Sequence, residues 1–197
     1  KKGELSIKVN QSTILSKSLR SFPEKWHGLK DKETRFRQRY LDLIVNPESK
    51  KILETRSKVI KLIREYLHEN SFVEVETPIL QTKAGGAIAK PFTTHHNALG
   101  LDMYLRIAPE LYLKRLIIGG FEKVFELGKI FRNEGIDQTH LPEFTMLESY
   151  QAYVDANSVM DMVEDMCTYV FKNLETDTKF TKLHFGENTA DFSGPWK

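Results

Sequence analysis

Apolar residues recur at helical spacing in three segments of the chain. The clearest segment covers Pro47 to Asn70 and predicts a long amphipathic helix. Pro109 to Ile118 predicts a second helix, because proline suits a first turn and Gly119-Gly120 follow the segment. A third helix is predicted after Asp155, a candidate N-cap. The first and third stripes are Ile52, Val59, Ile60, Ile63, Tyr66 and Leu67, and Val159, Met160, Val163, Met166 and Val170.

Alternation of apolar and polar residues predicts strands elsewhere. Leu5 to Val9 alternate as in a half-buried strand, and Val73 to Val75 form a second short strand. Val124 to Leu127 and Lys129 to Tyr153 supply the remaining strands. Because these later strands follow one another without an intervening helix, the sequence predicts an α+β fold with an antiparallel sheet flanked by helices.

The segment 130–150 predicts two strands joined by a polar loop from Gly135 to His140. Alternation places Ile130, Arg132 and Glu134 on one face of the first strand, and Phe144, Met146, Glu148 and Tyr150 on one face of the second. In a paired hairpin this surface would suit three chemical groups. The guanidinium suits a phosphate or carboxylate, the carboxylates suit an ammonium, and the flat ring suits a base. A substrate with a phosphate, a purine and an amine would satisfy all of them.

Composition adds few constraints. The chain has 197 residues with 40% hydrophobic and 28% charged content, as expected for one large globular domain or a domain plus a remnant. Its net charge of +2 neither demands nor excludes nucleic acid. A single cysteine, Cys167, cannot form an internal disulfide, which favours a reducing, cytoplasmic location; its simplest role is packing. No membrane association is expected, because no apolar run could cross a bilayer and no signal peptide opens the chain.

The segment Phe131 to Tyr150 resembles motif 2 of the class II aminoacyl-tRNA synthetases, in the lysyl-type form found in bacteria. The resemblance runs from about Gly3 to the end and is weakest after Asn173. Further segments in the same order are Arg37 to Leu43, Phe72 to Leu80 at the end of motif 1, Ala84 to Ala87, Thr94 to Asn97, and Arg106 to Leu111.

The resemblance implies two regions. Residues 1–25 would be a remnant of an anticodon-binding oligonucleotide barrel with a connector, and 26–197 the N-terminal part of a catalytic domain with motifs 1 and 2. Ser16 to Lys32 is polar and basic and is interpreted as the connector. Its basic residues could face tRNA, but a solvated connector is the simpler explanation. The third motif and the ligands of Mg²⁺ are expected beyond Lys197, so no metal ligand is expected in this chain, which should be inactive alone. The segment Pro47 to Leu80 resembles the class II subunit interface and implies a homodimer.

The activity implied is ATP-dependent conversion of L-lysine to lysyl-adenylate, followed by transfer to the 3′ end of tRNA(Lys). Two alternatives remain open. One is a non-catalytic module that binds lysine or a nucleotide. The other is a synthetase paralogue that ligates lysine to a protein, although such a paralogue would need no anticodon-reading barrel.

The resemblance places six residues around ATP: Arg132, Asn133, Glu134, His140, Leu141 and Phe144. Arg132 would grip the α-phosphate and the amino-acid carboxylate as the catalytic residue; its alternative is a structural ion pair with Glu134 or Glu148. Phe144 would stack on adenine, although a strand phenylalanine is more often core. By itself, His140 would be a surface loop residue. Leu141 departs from the family, which usually has asparagine there, so only a backbone contact could survive.

Lysine recognition is implied for Gly86, Glu110, Glu148 and Tyr150. Extra acidity suits a substrate with two ammonium groups, and a buried carboxylate without a cation would reject uncharged analogues. The Gly86 backbone would approach a lysine amine. Glu110 is equally explained as a negative charge at a helix N-terminus. His95 and His96 are adjacent on a predicted strand and should point apart, so a shared metal ion is not expected.

Overall fold

The computed structural model describes residues 3, 5–21, 29–174, 182–185, 188–191 and 195–196. The chain divides into two compact units, Lys1–Arg56 and Ser57–Lys197. The helices of the described residues are α1 (Lys32–Arg37), α2 (Arg39–Val45), α3 (Pro47–Glu69), α4 (Glu110–Ile118) and α5 (Ala156–Leu174). The strands of the same residues are β1 (Val73–Glu74), β2 (Leu80–Gln81), β3 (Thr93–His96), β4 (Leu101–Leu105), β5 (Lys123–Phe131), β6 (Glu143–Gln151), β7 (Lys182–Phe185) and β8 (Asn188–Asp191).

In the first unit, the short helices α1 and α2 are joined by one buried carboxylate. Asp42 is fully buried and accepts hydrogen bonds from Arg35 Nε at 2.6 Å, Arg39 Nη1 at 2.6 Å and Asn46 Nδ2 at 2.7 Å. These bonds, above all that from Asn46, hold the pKa of Asp42 well below its usual range. Periodicity did not predict either helix because each is under two turns long.

The half-buried strand predicted at Leu5 to Val9 is wrong for this chain. No strand is assigned to this segment, and Leu5, Ile7 and Val9 are exposed. A strand needs a neighbour for its backbone hydrogen bonds, and none of the described strands pairs with it. The barrel remnant therefore stays a prediction. Residues 22–28 of the predicted connector lie outside the described residues.

The main sheet of the second unit has the order β1-β5-β6. β5 and β6 pair antiparallel over their full lengths, which confirms the predicted hairpin. β1 pairs parallel with β5, with Val73 opposite Val124, so the sheet is mixed rather than purely antiparallel. β5 also continues through Gly128, where two strands were predicted. The arrangement remains compatible with an α+β fold.

The hydrophobic core covers one face of this sheet. Tyr66 and Leu67 of α3 pack with Phe72 and with Phe125 of β5. Partly buried residues that complete the cluster are Ile63, Leu147, Met162, Met166 and Tyr169. Phe125 and Leu147, both odd-numbered, lie on this face. Because strand side chains alternate, the even-numbered residues of β5 and β6 lie on the opposite face.

Helix α5 confirms its predicted start, but only two of the five residues in its predicted apolar stripe are at least partly buried. The Asp155 carboxylate accepts from Ser158 N at 2.9 Å, as an N-cap should. Met166 and Val170 are at least partly buried. The helix is about 28 Å long at 1.5 Å per residue, longer than the core cluster that it covers. The exposed members of the predicted stripes are Ile52 in α3 and Val159, Met160 and Val163 in α5.

In the described ranges no helix has the length and apolarity that a bilayer span requires.

A second, antiparallel sheet has the order β2-β4-β3, and β7 and β8 form a separate pair. His95 and His96 lie on β3, as the predicted strand required. The His95 Nδ1 atom lies 2.8 Å from the Asp102 carboxylate, whereas His96 Nδ1 accepts from Leu99 N at 3.3 Å. The two imidazoles therefore have different partners.

Candidate active site

The β5–β6 hairpin sets the register of the candidate site. Glu126 lies opposite Glu148, and Ile130 lies opposite Phe144. Residues directly opposed in an antiparallel pair share a face, and Tyr150 follows Glu148 by two positions on the same face. The predicted polar surface, with Phe144, Glu148 and Tyr150 on one side of the sheet, is therefore confirmed.

The connection between the two strands is longer than predicted. It spans 132–142 rather than Gly135 to His140, so Arg132 lies just after β5 and not within it. Alternation in the sequence continues past the last regular backbone pair, which is why the strand was predicted to run further. Arg132 N still donates to Pro142 O at 2.9 Å. This bond extends the pairing of β5 and β6 by one residue. It keeps Arg132 on the side of the hairpin that carries Phe144, Glu148 and Tyr150, which we call the functional face.

The Arg132 guanidinium lies between an aromatic ring and a backbone carbonyl. Its central carbon is 5.2 Å from the centroid of the Phe144 ring, and Nη2 makes a long contact of 3.5 Å with Ile107 O. The Nε atom is buried, and it has no hydrogen-bond partner in the described part of the chain. Within that part, Arg132 forms no ion pair with Glu134 or Glu148, the structural alternative considered above. A buried donor left unpaired costs about 1–3 kcal/mol, which an anionic ligand would offset.

A cavity of about 300 Å³ opens beside this guanidinium. It brings together five of the six residues predicted around ATP. Its lining residues are Arg132, Glu134, Gly135, Thr139, His140, Leu141 and Phe144. The Phe144 side chain is only partly buried, so its ring can face the cavity. The Leu141 side chain presents an apolar surface there.

Two predicted ATP residues are held by the backbone of Lys90. Asn133 N donates to Lys90 O at 2.7 Å, and the Glu134 carboxylate accepts from Lys90 N at 3.3 Å. Asn133 is exposed and is not among the residues that line the cavity. The pair of bonds fixes the start of the loop, and one Glu134 oxygen is left to face the cavity.

The far end of the loop is organised by Asp137, which sequence reasoning missed. Its carboxylate accepts from Thr139 N at 2.7 Å, from His140 N at 2.8 Å, and contacts His140 Nδ1 at 2.8 Å. The bonds from Thr139 and His140 hold the pKa of Asp137 well below its usual range. An Asp that bonds the backbone two residues ahead is a recognisable turn signal, so Asp137 could have been found from the sequence.

The acidic part of the site is centred on Glu148. Tyr150 donates its hydroxyl to Glu148 Oε2 at 3.2 Å. Burial raises the pKa of Glu148; the Tyr150 bond opposes the rise, and the neighbouring charges of Glu110 and Glu126 increase it. Burial and the charges of Glu148 and Glu110 raise the pKa of Tyr150. Two further carboxylates therefore act on Glu148, an arrangement that favours a cationic ligand.

Gly86 and Glu110 are in direct contact, as two residues of one pocket would be. Gly86 has a φ of +85°, and a Cβ there would lie 2.9 Å from Glu110 Cβ and 3.1 Å from Ala108 Cβ. Only glycine fits without strain. Glu110 begins α4 and pairs with Lys114, so its role as a helix-terminal charge is also consistent with the structure.

Glu126, one of the carboxylates that raise the pKa of Glu148, forms a buried ion pair with Arg106. Sequence reasoning did not single out either residue. Glu126 has the same strand parity as Arg132, so alternation alone could have placed it on the functional face. The burial of Arg106, which follows β4, depends on contacts between distant segments and has no local signal.

Other concave regions of the second unit are less specific. A groove of about 600 Å³ lies along β3 and β4, and another of about 490 Å³ lies between 75–78 and α4. Among the residues that the structure describes, no group of three or more His, Cys, Asp or Glu side chains could hold a metal ion.

Comparison with known proteins agrees with this geometry. The model of the family described as tRNA synthetases class II (D, K and N) matches residues 31–197. The chain is 55% identical over 195 residues to the lysine–tRNA ligase of Clostridium tetani, covering 99% of this chain and 38% of that protein. It is 55% identical over 197 residues to the corresponding ligase of Thermoanaerobacter pseudethanolicus, covering 100% and 39%.

The lysine–tRNA ligase of Listeria innocua is 56% identical over 195 residues, which cover 99% of this chain and 39% of that protein. The chain thus spans about two fifths of the length of the curated relatives that it matches. The family match covers both the Arg132 cavity and the acidic pocket. On this basis the chain belongs to the class II tRNA synthetases (D, K and N).

Proposed function

We propose that the protein carrying this chain is a lysine–tRNA ligase, which activates L-lysine with ATP and transfers it to the 3′ end of tRNA(Lys). The observation that carries the proposal is the buried, unpartnered Nε of Arg132, held over Phe144 and next to an acidic pocket. An anion at the guanidinium and an ammonium at the carboxylates would satisfy both regions at once. The identity to named lysine–tRNA ligases supports lysine over aspartate and asparagine within the family.

In the proposed reaction, the lysine carboxylate attacks the α-phosphorus of ATP, forms the mixed anhydride and expels pyrophosphate. Arg132 would bind the α-phosphate and the carboxylate, bring them together and offset the charge that grows on the phosphate. Phe144 would stack against adenine in the cavity next to Arg132. Glu134 and His140 line the same cavity and are proposed to contact adenine or the phosphates.

The acidic pocket would hold the two ammonium groups of lysine. Glu148, with its Tyr150 hydrogen bond, and Glu110, against Gly86, are the proposed partners. A cation bound here would oppose the effects of burial and of the neighbouring carboxylates, which together raise the pKa of Glu148. Lysine binding is therefore expected to lower the pKa of Glu148, and an uncharged analogue, which cannot do so, should be a poor ligand.

Several further features belong to the same proposal. Magnesium bound with ATP would offset the charge of the phosphates, but the described residues form no group that could hold a metal ion. A homodimer through the segment 47–80 and a cytoplasmic location are proposed from the resemblance of that segment and from the lone Cys167. The basic connector is a candidate for tRNA contact.

The test is ATP–pyrophosphate exchange in the full-length protein that carries this sequence. Exchange with lysine, and not with aspartate or asparagine, is expected. Exchange that depends on either of the other two amino acids would contradict the lysine assignment. No exchange with any of them would favour the non-catalytic binding module.

Transfer distinguishes the remaining alternative. Radiolabelled lysine should be recovered on tRNA(Lys) and released by ribonuclease treatment. Label that survives ribonuclease and follows a protein acceptor would instead support the paralogue that ligates lysine to a protein.

A further inference from the structure

Arg106 and Glu126 form an ion pair inside the second unit, exposed by only 2% and 4%. Thr77 is bonded to both partners. Its hydroxyl donates to Glu126 Oε2 at 2.6 Å and accepts from Arg106 Nη1 at 3.1 Å. A buried ion pair adds little net stability compared with well-packed apolar side chains. Its presence therefore calls for an explanation other than stability.

The Arg106 side chain and backbone connect several segments. Arg106 Nε donates to Lys129 O at 2.9 Å, Arg106 N donates to Ile79 O at 2.9 Å, and Arg106 O accepts from Phe131 N at 3.0 Å. A Cβ at Gly128 would lie 2.4 Å from Arg106 Nη2. Arg106 Nη2 therefore lies close to Gly128, and a side chain at position 128 would force the guanidinium to move.

This cluster is connected to the segments that carry the two acidic residues proposed to bind lysine. Glu126 is directly opposite Glu148 on the functional face. Arg106 precedes Glu110 by four residues, and its backbone bonds fix the segment that leads into α4. The position of Glu110 relative to Glu148 thus depends on how Arg106 and Glu126 are joined.

We propose that Arg106, Glu126 and Thr77 form a positioning cluster that fixes the separation between Glu110 and Glu148 and so selects lysine by length. The inference rests on the proposed function. Lysine and ornithine carry the same charges, and ornithine is shorter by one methylene. Electrostatic attraction alone therefore cannot distinguish the two amino acids. In this proposal the distance between the two carboxylates distinguishes them, because it matches the distance between the two amines of lysine.

The test compares kcat/KM for lysine and ornithine in pyrophosphate exchange by the full-length protein. Glu126→Gln keeps the side-chain size but removes the charge, and Thr77→Val removes the hydroxyl that joins the pair. Each should lower the preference for lysine about 10-fold or more, because one methylene in a pocket is worth about 10–200-fold. Thr77→Ser retains the hydroxyl and should retain the preference.

Glu143→Gln is the matched control. Glu143 lies on the same hairpin, but on the opposite face, and pairs with Lys129 at the surface. This variant should keep both the lysine activity and the preference for lysine. Thermal unfolding of every variant separates a loss of fold from a loss of selectivity.

The outcomes are distinct. A wild-type protein without lysine-dependent exchange refutes the proposed function itself. The positioning role is overturned if the wild-type protein is active and the folded Glu126→Gln and Thr77→Val variants lose kcat/KM equally for lysine and ornithine. The cluster would then have only a structural role. If Glu126→Gln does not fold, the comparison of Thr77→Val with Thr77→Ser decides.

Discussion

Tyr150 donates its hydroxyl to Glu148 across one face of a strand, with 3.2 Å between the phenol oxygen and Oε2. Residues two apart on a strand share a face, so the pair is a local consequence of the sequence. Its energetic setting is not local, because burial and the charge of Glu110 raise the pKa of Glu148 against the effect of this bond. The pair therefore holds a carboxylate whose raised pKa a bound cation would lower.

Replacing Glu148 by glutamine should raise the lysine KM in exchange by about 30-fold or more and leave the ATP KM nearly unchanged. Truncating one partner of a buried charge pair costs about 2–5 kcal/mol, and each 1.4 kcal/mol is a factor of ten. Steady-state exchange at varied lysine and ATP gives both constants. An unchanged lysine KM in Glu148→Gln would exclude Glu148 from the lysine site.

The raised pKa of Glu148 predicts a pH dependence of lysine binding. Because the carboxylate must be ionised to bind an ammonium, the lysine KM should rise as the pH falls through this raised pKa. The rise should begin at a higher pH than an exposed carboxyl would give. For folding of the unliganded protein the sign is opposite: ionised Glu148 destabilises the fold, and this cost is lost as the pH falls. In Glu148→Gln, the lysine KM should depend much less on pH than in the wild-type protein. Parallel profiles for wild type and variant would argue against the assignment.

Arg132→Lys should lower the rate of adenylate formation by about 10²-fold or more, the usual loss for one transition-state donor. Lysine keeps the charge but not the planar fork that can bind a phosphate and a carboxylate together. Single-turnover measurement of adenylate isolates the chemical step. A near-normal rate would mean that Arg132 serves only to pack against Phe144.

Gly86→Ala should raise the lysine KM and lower the stability. The new methyl group would lie within 3.1 Å of both Glu110 Cβ and Ala108 Cβ, and a non-glycine residue at positive φ costs about 1–2 kcal/mol. Gly120→Ala is the matched control, because Gly120 also has a positive φ, +102°, but has open space around it. Gly120→Ala should lower the melting temperature without changing the lysine KM. Equal effects of the two variants on KM would contradict a special role for Gly86.

Local patterns in the sequence were sufficient for the elements that frame the site. Helical spacing predicted α3, α4 and α5, and the Asp155 cap lies at the predicted position. Alternation predicted which side of β6 carries Phe144 and Glu148. These features depend on dihedral preference and side-chain period, which neighbouring residues determine. Alternation predicted a strand at Leu5 to Val9 that is not formed. A strand also requires a neighbouring strand for its backbone hydrogen bonds, and no described strand pairs with this segment.

The tertiary structure decided which of these side chains meet. It paired β1 parallel with β5, buried Arg106 against Gly128 and Glu126, and brought Gly86 against Glu110. These contacts join residues separated by 20 or more positions, so no local period specifies them. The pKa of Glu148 is likewise raised by burial and by carboxylates on other segments or strands. The sequence determines the chemistry available on each strand and helix, whereas only the folded chain brings charges close enough, and far enough from water, to alter one another.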